Sequence, residues 1–108
     1  MKITMPEIRK NATLKIIRSL SERLKDMTLE IRVIAEVEVN DRKVIISSES
    51  TVYNLLNKSV DEIRTEINGT LNGLIQYVKE KATKFVNVLL AVKETCESNN
   101  MEFDIVVD

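Results

Sequence analysis

Between Val60 and Cys96 apolar side chains recur at Val60, Ile63, Ile67, Leu71, Leu74, Val78, Ala82, Phe85, Leu89, Val92 and Cys96, ten steps over 36 residues. The mean spacing of 3.6 is the period of an α-helix, and its phase never resets. One continuous helix is predicted over residues 59 to 98. Ser59-Val60-Asp61-Glu62 has the form of a capping box at its start, and Asn99-Asn100 end it. Gly69 and Gly73 each cost about 1 kcal/mol relative to alanine in a helix interior, but a break there would throw the stripe out of phase. Forty residues rising about 1.5 Å each make a rod of about 60 Å, whereas a compact globule of this length has a radius of gyration of about 13 Å. The rod is expected to overhang its own domain. Ile75, Val86 and Leu90 widen its stripe in the second half, so a second copy or a partner helix should cover it. Leu74, Val78, Phe85 and Leu89 are the residues expected at that interface.

Upstream, residues 2–5 suit a short strand, and Pro6 suits the first turn of a helix because it has no N–H to leave unpaired there. A first helix is predicted over about 6–26, with Ala12, Ile16, Ile17, Leu20 and Leu24 on one arc and Lys10, Lys15, Arg18 and Lys25 on the opposite arc. From Leu29 to Val39 the pattern changes to period two: Leu29, Ile31, Val33, Ala35, Val37 and Val39 point one way, as in a half-buried strand. Asn40-Asp41 then suits a two-residue hairpin turn, since both tolerate positive φ. That turn pairs Val37 with Val44 and Ala35 with Ile46, apolar face on apolar face. Ser50 or Thr51 is expected to cap a short helical turn through Leu56. Beyond the long helix, Met101, Phe103 and Ile105 alternate with Glu102 and Asp104, the pattern of a last strand that completes this sheet or a partner's. The expected fold is a single α+β domain, residues 1–108. Its antiparallel sheet has β-α-β-β-α-β order, with helices packed on one face and a long second helix.

Composition removes most catalytic chemistry. The 108 residues include no histidine, no tryptophan and one cysteine, which excludes histidine base catalysis, histidine metal ligation and disulfide frameworks. No glycine-rich loop precedes a Lys-Ser/Thr pair, so a Walker-type phosphate loop is absent as well. Glu30, Glu36 and Glu38 share one strand face with Arg32 and read as a salt-bridged surface rather than a cation site. Catalytic, cofactor-binding and metal-binding residues are therefore assigned nowhere, and the chain is expected not to be an enzyme. No segment approaches the roughly 20 apolar residues that a bilayer requires. A cytoplasmic protein without membrane contact is expected, and lone Cys96 agrees with a reducing compartment.

Charge is unevenly spread behind a formal net of −1. Residues 1–27 hold seven basic and three acidic side chains, whereas residues 94–108 hold Glu94, Glu97, Glu102, Asp104 and Asp108 and no base. The chain has a basic head and an acidic tail, a polarity that permits head-to-tail attraction. It also raises an alternative function, a small nucleic-acid-binding accessory protein that contacts RNA phosphates with Lys10, Lys15, Arg18 and Lys25. No aromatic residues are interleaved with them for base stacking.

Particular residues carry a family likeness. Met5-Pro6, then Ala12 followed by Ile16-Ile17-Arg18-Ser19-Leu20-Ser21, the Val37–Ile46 hairpin, and Ile63-Arg64-Thr65 with Ile67-Asn68 and Leu71 resemble the small dimerising subunit of the KEOPS (EKC) tRNA-modification complex, the CTAG/Pcc family. The resemblance covers roughly residues 2–80, with 81–108 as a helical extension and C-terminal strand. It implies a non-catalytic subunit. Two copies, or one copy and a paralogue, would pair and present a helical surface to the ATPase-fold subunit that makes threonylcarbamoyladenosine in tRNA, with tRNA engaged indirectly. Matched by position, Arg64 and Asn68 would lie near that docking surface. The chain departs from the family pattern in its longer first helix, the inserted segment 51–58 and the added end from about 82.

Overall fold

The computed structural model describes residues 3–108 and has four elements, β1 (Glu7–Arg18), β2 (Leu24–Val39), β3 (Arg42–Asn54) and α1 (Val60–Ser98). The strands form one antiparallel sheet in the order β1-β2-β3. The architecture is thus β-β-β-α with one helix, not the expected β-α-β-β-α-β with two.

The predicted first helix is a strand and a turn. β1 pairs with β2 over its whole length, from Glu7 opposite Glu36 to Arg18 opposite Leu24. The misreading has a physical reason: Ala12, Ile16, Leu20 and Leu24 are four residues apart, and an even step of four stays on one face of a strand just as it stays on one side of a helix. Thr13 and the β-branched pair Ile16-Ile17 fit a pleated strand better than a helix. Pairing also satisfies one side of β2, which a helix over 6–26 would leave without partners. Ser19 to Arg23 make the turn, with the Ser19 N–H donating to the Arg23 carbonyl at 2.8 Å and Glu22 at φ 65°. The expected strand at 2–5 shrinks to a single bridge between Ile3 and Val39, beside which the Thr4 N–H donates to the Glu38 carbonyl at 3.0 Å; residue 2 lies outside the described residues.

The hairpin at Asn40-Asp41 is present, with φ of 50° and 65°, and Val37 faces Val44 as expected. Ala35, however, faces Ser47 rather than Ile46. A bulge between Ala35 and Glu36 leaves Ile46 as the extra residue, and it packs against both core clusters. The short helical turn expected at 50–56 is instead the end of β3 followed by a turn with Asn57 at φ 68°.

α1 runs unbroken through Gly69 and Gly73. Ser59 is its N-cap: its hydroxyl accepts from the Glu62 N–H at 3.2 Å and donates to the Glu62 carboxylate at 3.3 Å. The Tyr53 hydroxyl donates to the Glu66 carbonyl at 3.2 Å, and Lys58 pairs with Glu66 at 2.6 Å, fastening the first turns of α1 to the end of β3.

The helix lies along β2 and β3. Val33, Ala35, Val78 and Ala82 form one core cluster, joined by Leu71, Leu74 and Ile75 from the helix; Val37, Val39 and Val86 form the second, joined by Phe85 and Leu89. Val78, expected at a partner interface, is therefore fully buried against the chain's own sheet, and Leu74, Phe85 and Leu89 pack there too. The rod finds most of its cover at home because the strands are long as well. The body measures 69 × 28 × 13 Å with a radius of gyration of 20.1 Å, far from the compact globule from which the overhang was argued. Only the last turns of the helix run past the sheet. The chain then reverses at Asn100 (φ 56°), and the Met101 N–H donates to the Cys96 carbonyl at 2.9 Å. The expected last strand does not form. Residues 101–108 carry no regular structure; Ile105 and Val107 pack on the second cluster, and the Asn40 side chain donates to the Ile105 carbonyl at 3.3 Å.

Candidate interaction surface

One helix on a three-stranded sheet leaves one strand bare. Because α1 sits over β2 and β3, the residues of β1 on the helix side of the sheet, Ile8, Lys10, Ala12, Leu14 and Ile16, stand beside it rather than beneath it. Their cross-strand partners prove the side: Ile8 faces Ala35, Lys10 faces Val33 and Ala12 faces Ile31, all buried residues of β2. Ile8 packs against the first cluster. Leu14 and Ile16 do not, and are 52 % and 60 % exposed. Between this row and the helix runs a groove of about 270 Å³, lined by Lys10, Asn11, Ala12, Ile31, Ile67 and Leu71. Leu20 and Leu24 at the tip of the β1-β2 hairpin are also exposed. An apolar row, a groove and an edge of unpaired backbone coincide along β1.

The opposite face of the sheet is mixed, with Ile45 and Val52 56 % and 60 % exposed among charged side chains. Glu36 is 7 % exposed there, between Arg9 at 3.1 Å and Lys43 at 3.8 Å, and Arg32 pairs with Glu30 at 3.4 Å. This is the salt-bridged face expected from the strand pattern. Among the described residues no three acidic or cysteine side chains gather as metal ligands, and no buried side-chain polar atom lacks a hydrogen bond. A larger depression of about 580 Å³ is lined by Gln76, Glu80, Thr83, Lys84, Val88 and neighbouring residues of α1 alone, so it has no opposing wall to enclose a ligand.

The four basic residues expected to share one helical arc are dispersed. Lys10 is on the helix side of β1 and Lys15 on the open side, while Arg18 ends the strand in an i,i+4 pair with Glu22 at 3.7 Å. Lys25 sits on β2 beside the register shift. Arg64 and Asn68 are exposed one turn apart on α1. The surface residues that sequence reasoning missed are Leu14 and Ile16 as part of an edge strand. Their signal was the even-numbered alternation Ile8, Ala12, Leu14, Ile16, masked by Lys10 within it and Ile17 out of phase. No helix among the described residues is long and apolar enough to cross a membrane. Comparison of the chain with protein-family models, curated proteins and solved structures finds no match.

Proposed function

We propose that this chain is a non-catalytic pairing subunit whose task is to bind another protein chain along β1. The observation that carries the reading is the bare helix-side row of β1, with Leu14 and Ile16 more than half exposed beside a groove. An edge strand with apolar side chains and free backbone groups is a template for strand addition. The chemistry of the described residues favours the same reading, since nothing converges on a point where a substrate could react. The KEOPS resemblance adds little. Its helix-one residues, Ala12 to Ser21, are strand and turn here, so the proposal is not extended to a tRNA-modifying assembly. The nucleic-acid alternative loses its basis with the basic arc.

The test is oligomeric state. Light scattering of the purified chain at micromolar concentration should give a mass above one chain, and Leu14→Asp with Ile16→Asp should return it to one chain with unchanged circular dichroism. A wild-type chain that stays monomeric at those concentrations would overturn the reading.

A further inference from the structure

The acidic tail, residues 101–108, has the pattern of a strand but makes none in its own chain. Met101, Phe103, Ile105 and Val107 alternate with Glu102, Asp104, Val106 and Asp108, a net charge of −3 on that segment. β1 has the reverse chemistry: Arg9, Lys10, Lys15 and Arg18 against Glu7, a net of +3. β3, the other edge, carries Arg42 and Lys43 against Glu49, a net of +1. We propose that two copies of this chain exchange tails, each tail adding to the other copy's β1 as a fourth, antiparallel strand. This rests on the reading of β1 as a binding edge and names its occupant.

The register follows from the side chains. With Glu102 opposite Lys15 of the second copy, Asp108 falls opposite Arg9, so acid meets base at both ends on the open face. On the helix side the same register sets Met101 against Ile16, Phe103 against Leu14 and Ile105 against Ala12, which fills the groove beside Ile67 and Leu71. Direct pairing of β1 with β1 is disfavoured, because it brings two strands of +3 together.

In this register the exchange has to be between chains. Glu102 lies three residues past the C-cap Asn99, a reach of about 11 Å at most. α1 leaves the sheet at the Val39 end, where Val86 packs with Val37 and Val39. Lys15 of the same chain faces Thr28, eleven residues along β2 from Val39 and hence about 36 Å away. A second body laid antiparallel alongside the first solves this. Its hairpin tip then stands beside the first molecule's tail, which runs back along its own body in the direction an antiparallel fourth strand needs; exchange replaces the contacts of Ile105 and Val107 with the second cluster and the Asn40 bond to Ile105. A two-fold axis makes both exchanges equivalent.

Charge reversal in two separate variants tests it. Lys15→Glu and Glu102→Lys, the two halves of one facing pair, should each raise the dimer dissociation constant by about tenfold or more. A 1:1 mixture of the two should restore pairing as a heterodimer, which no folding defect would mimic. Thr13→Cys combined with Asp104→Cys, in a Cys96→Ser background, should give a disulfide-linked dimer under mild oxidation. A wild-type dimer unaffected by either reversal and not cross-linked would overturn tail exchange and leave the pairing reading standing. A monomeric wild type would overturn both.

Discussion

Gly69 and Gly73 are helical, and a methyl group built on either meets nothing within 4 Å. No other part of this chain comes close to them, so replacing them removes flexibility without a clash inside the chain. Gly69→Ala and Gly73→Ala should each stabilise the fold by about 0.5–1 kcal/mol, read as a rise in the midpoint of urea unfolding. A loss of stability at either position would show that a neighbour closes on it. At the opposite extreme Val78 is fully buried between α1 and the sheet. Val78→Ala should cost about 2 kcal/mol, from two lost methyl equivalents and the cavity left behind. Lys81 differs from both, being fully exposed. Its ammonium lies over Tyr77, 4.7 Å from the ring centre, and this neighbour holds its pKa above the ordinary 10.5. The charged form is favoured in the folded state, so the contact is intact below pH 10.5 and fades as pH rises through the raised value. Tyr77→Phe should bring the Lys81 titration down toward its ordinary range, observable by NMR.

At the scale of elements, what the sequence made legible depends on how many independent signals each segment carries. α1 has three: a stripe of eleven residues in phase, a capping box at Ser59 and Glu62, and a stop at Asn99. β2 is buried on the helix side, so its alternation from Leu29 to Val39 is clean. β1 lies at an edge with no helix above it, so selection for burial is relaxed on both faces. Its period-two pattern is broken by Lys10 and Ile17, and what survives is a step of four that suits either structure. The tail shows the reverse problem, since its alternation is good but it pairs with neither edge of its own sheet. The interaction surface was hidden for the same reason as β1, because its residues were assigned to a helix facing a core. One consequence separates the two readings of Leu74. If it lay at a partner interface, Leu74→Asp would split a dimer and spare the fold. Packed as it is against Val33, Ala35, Val78 and Ala82, a charge there should unfold the chain outright, with loss of the helical circular dichroism signal at all protein concentrations.

For the whole molecule, shape decides between ways of assembling. A slab 69 Å long and 13 Å thick has little interior for its surface, and much of its stability has to come from the single layer of contact between α1 and β2 and β3. Covering β1 from the side would widen this layer into a continuous sheet, whereas contact through the hairpin tips, where Leu20 and Leu24 are exposed, would join two slabs end to end. The two outcomes differ strongly in length. Side-by-side antiparallel bodies keep a longest dimension near the 69 Å of one chain while the mass doubles. End-to-end joining would bring it to about twice that value. Small-angle X-ray scattering on the dimeric fraction should therefore return a maximum dimension close to that of the monomer, with a larger cross-section. A particle about twice as long would place the contact at the hairpin tips, and strand addition along β1 would then have to be abandoned, because no arrangement that pairs the tail with residues 9–16 leaves the two bodies end to end.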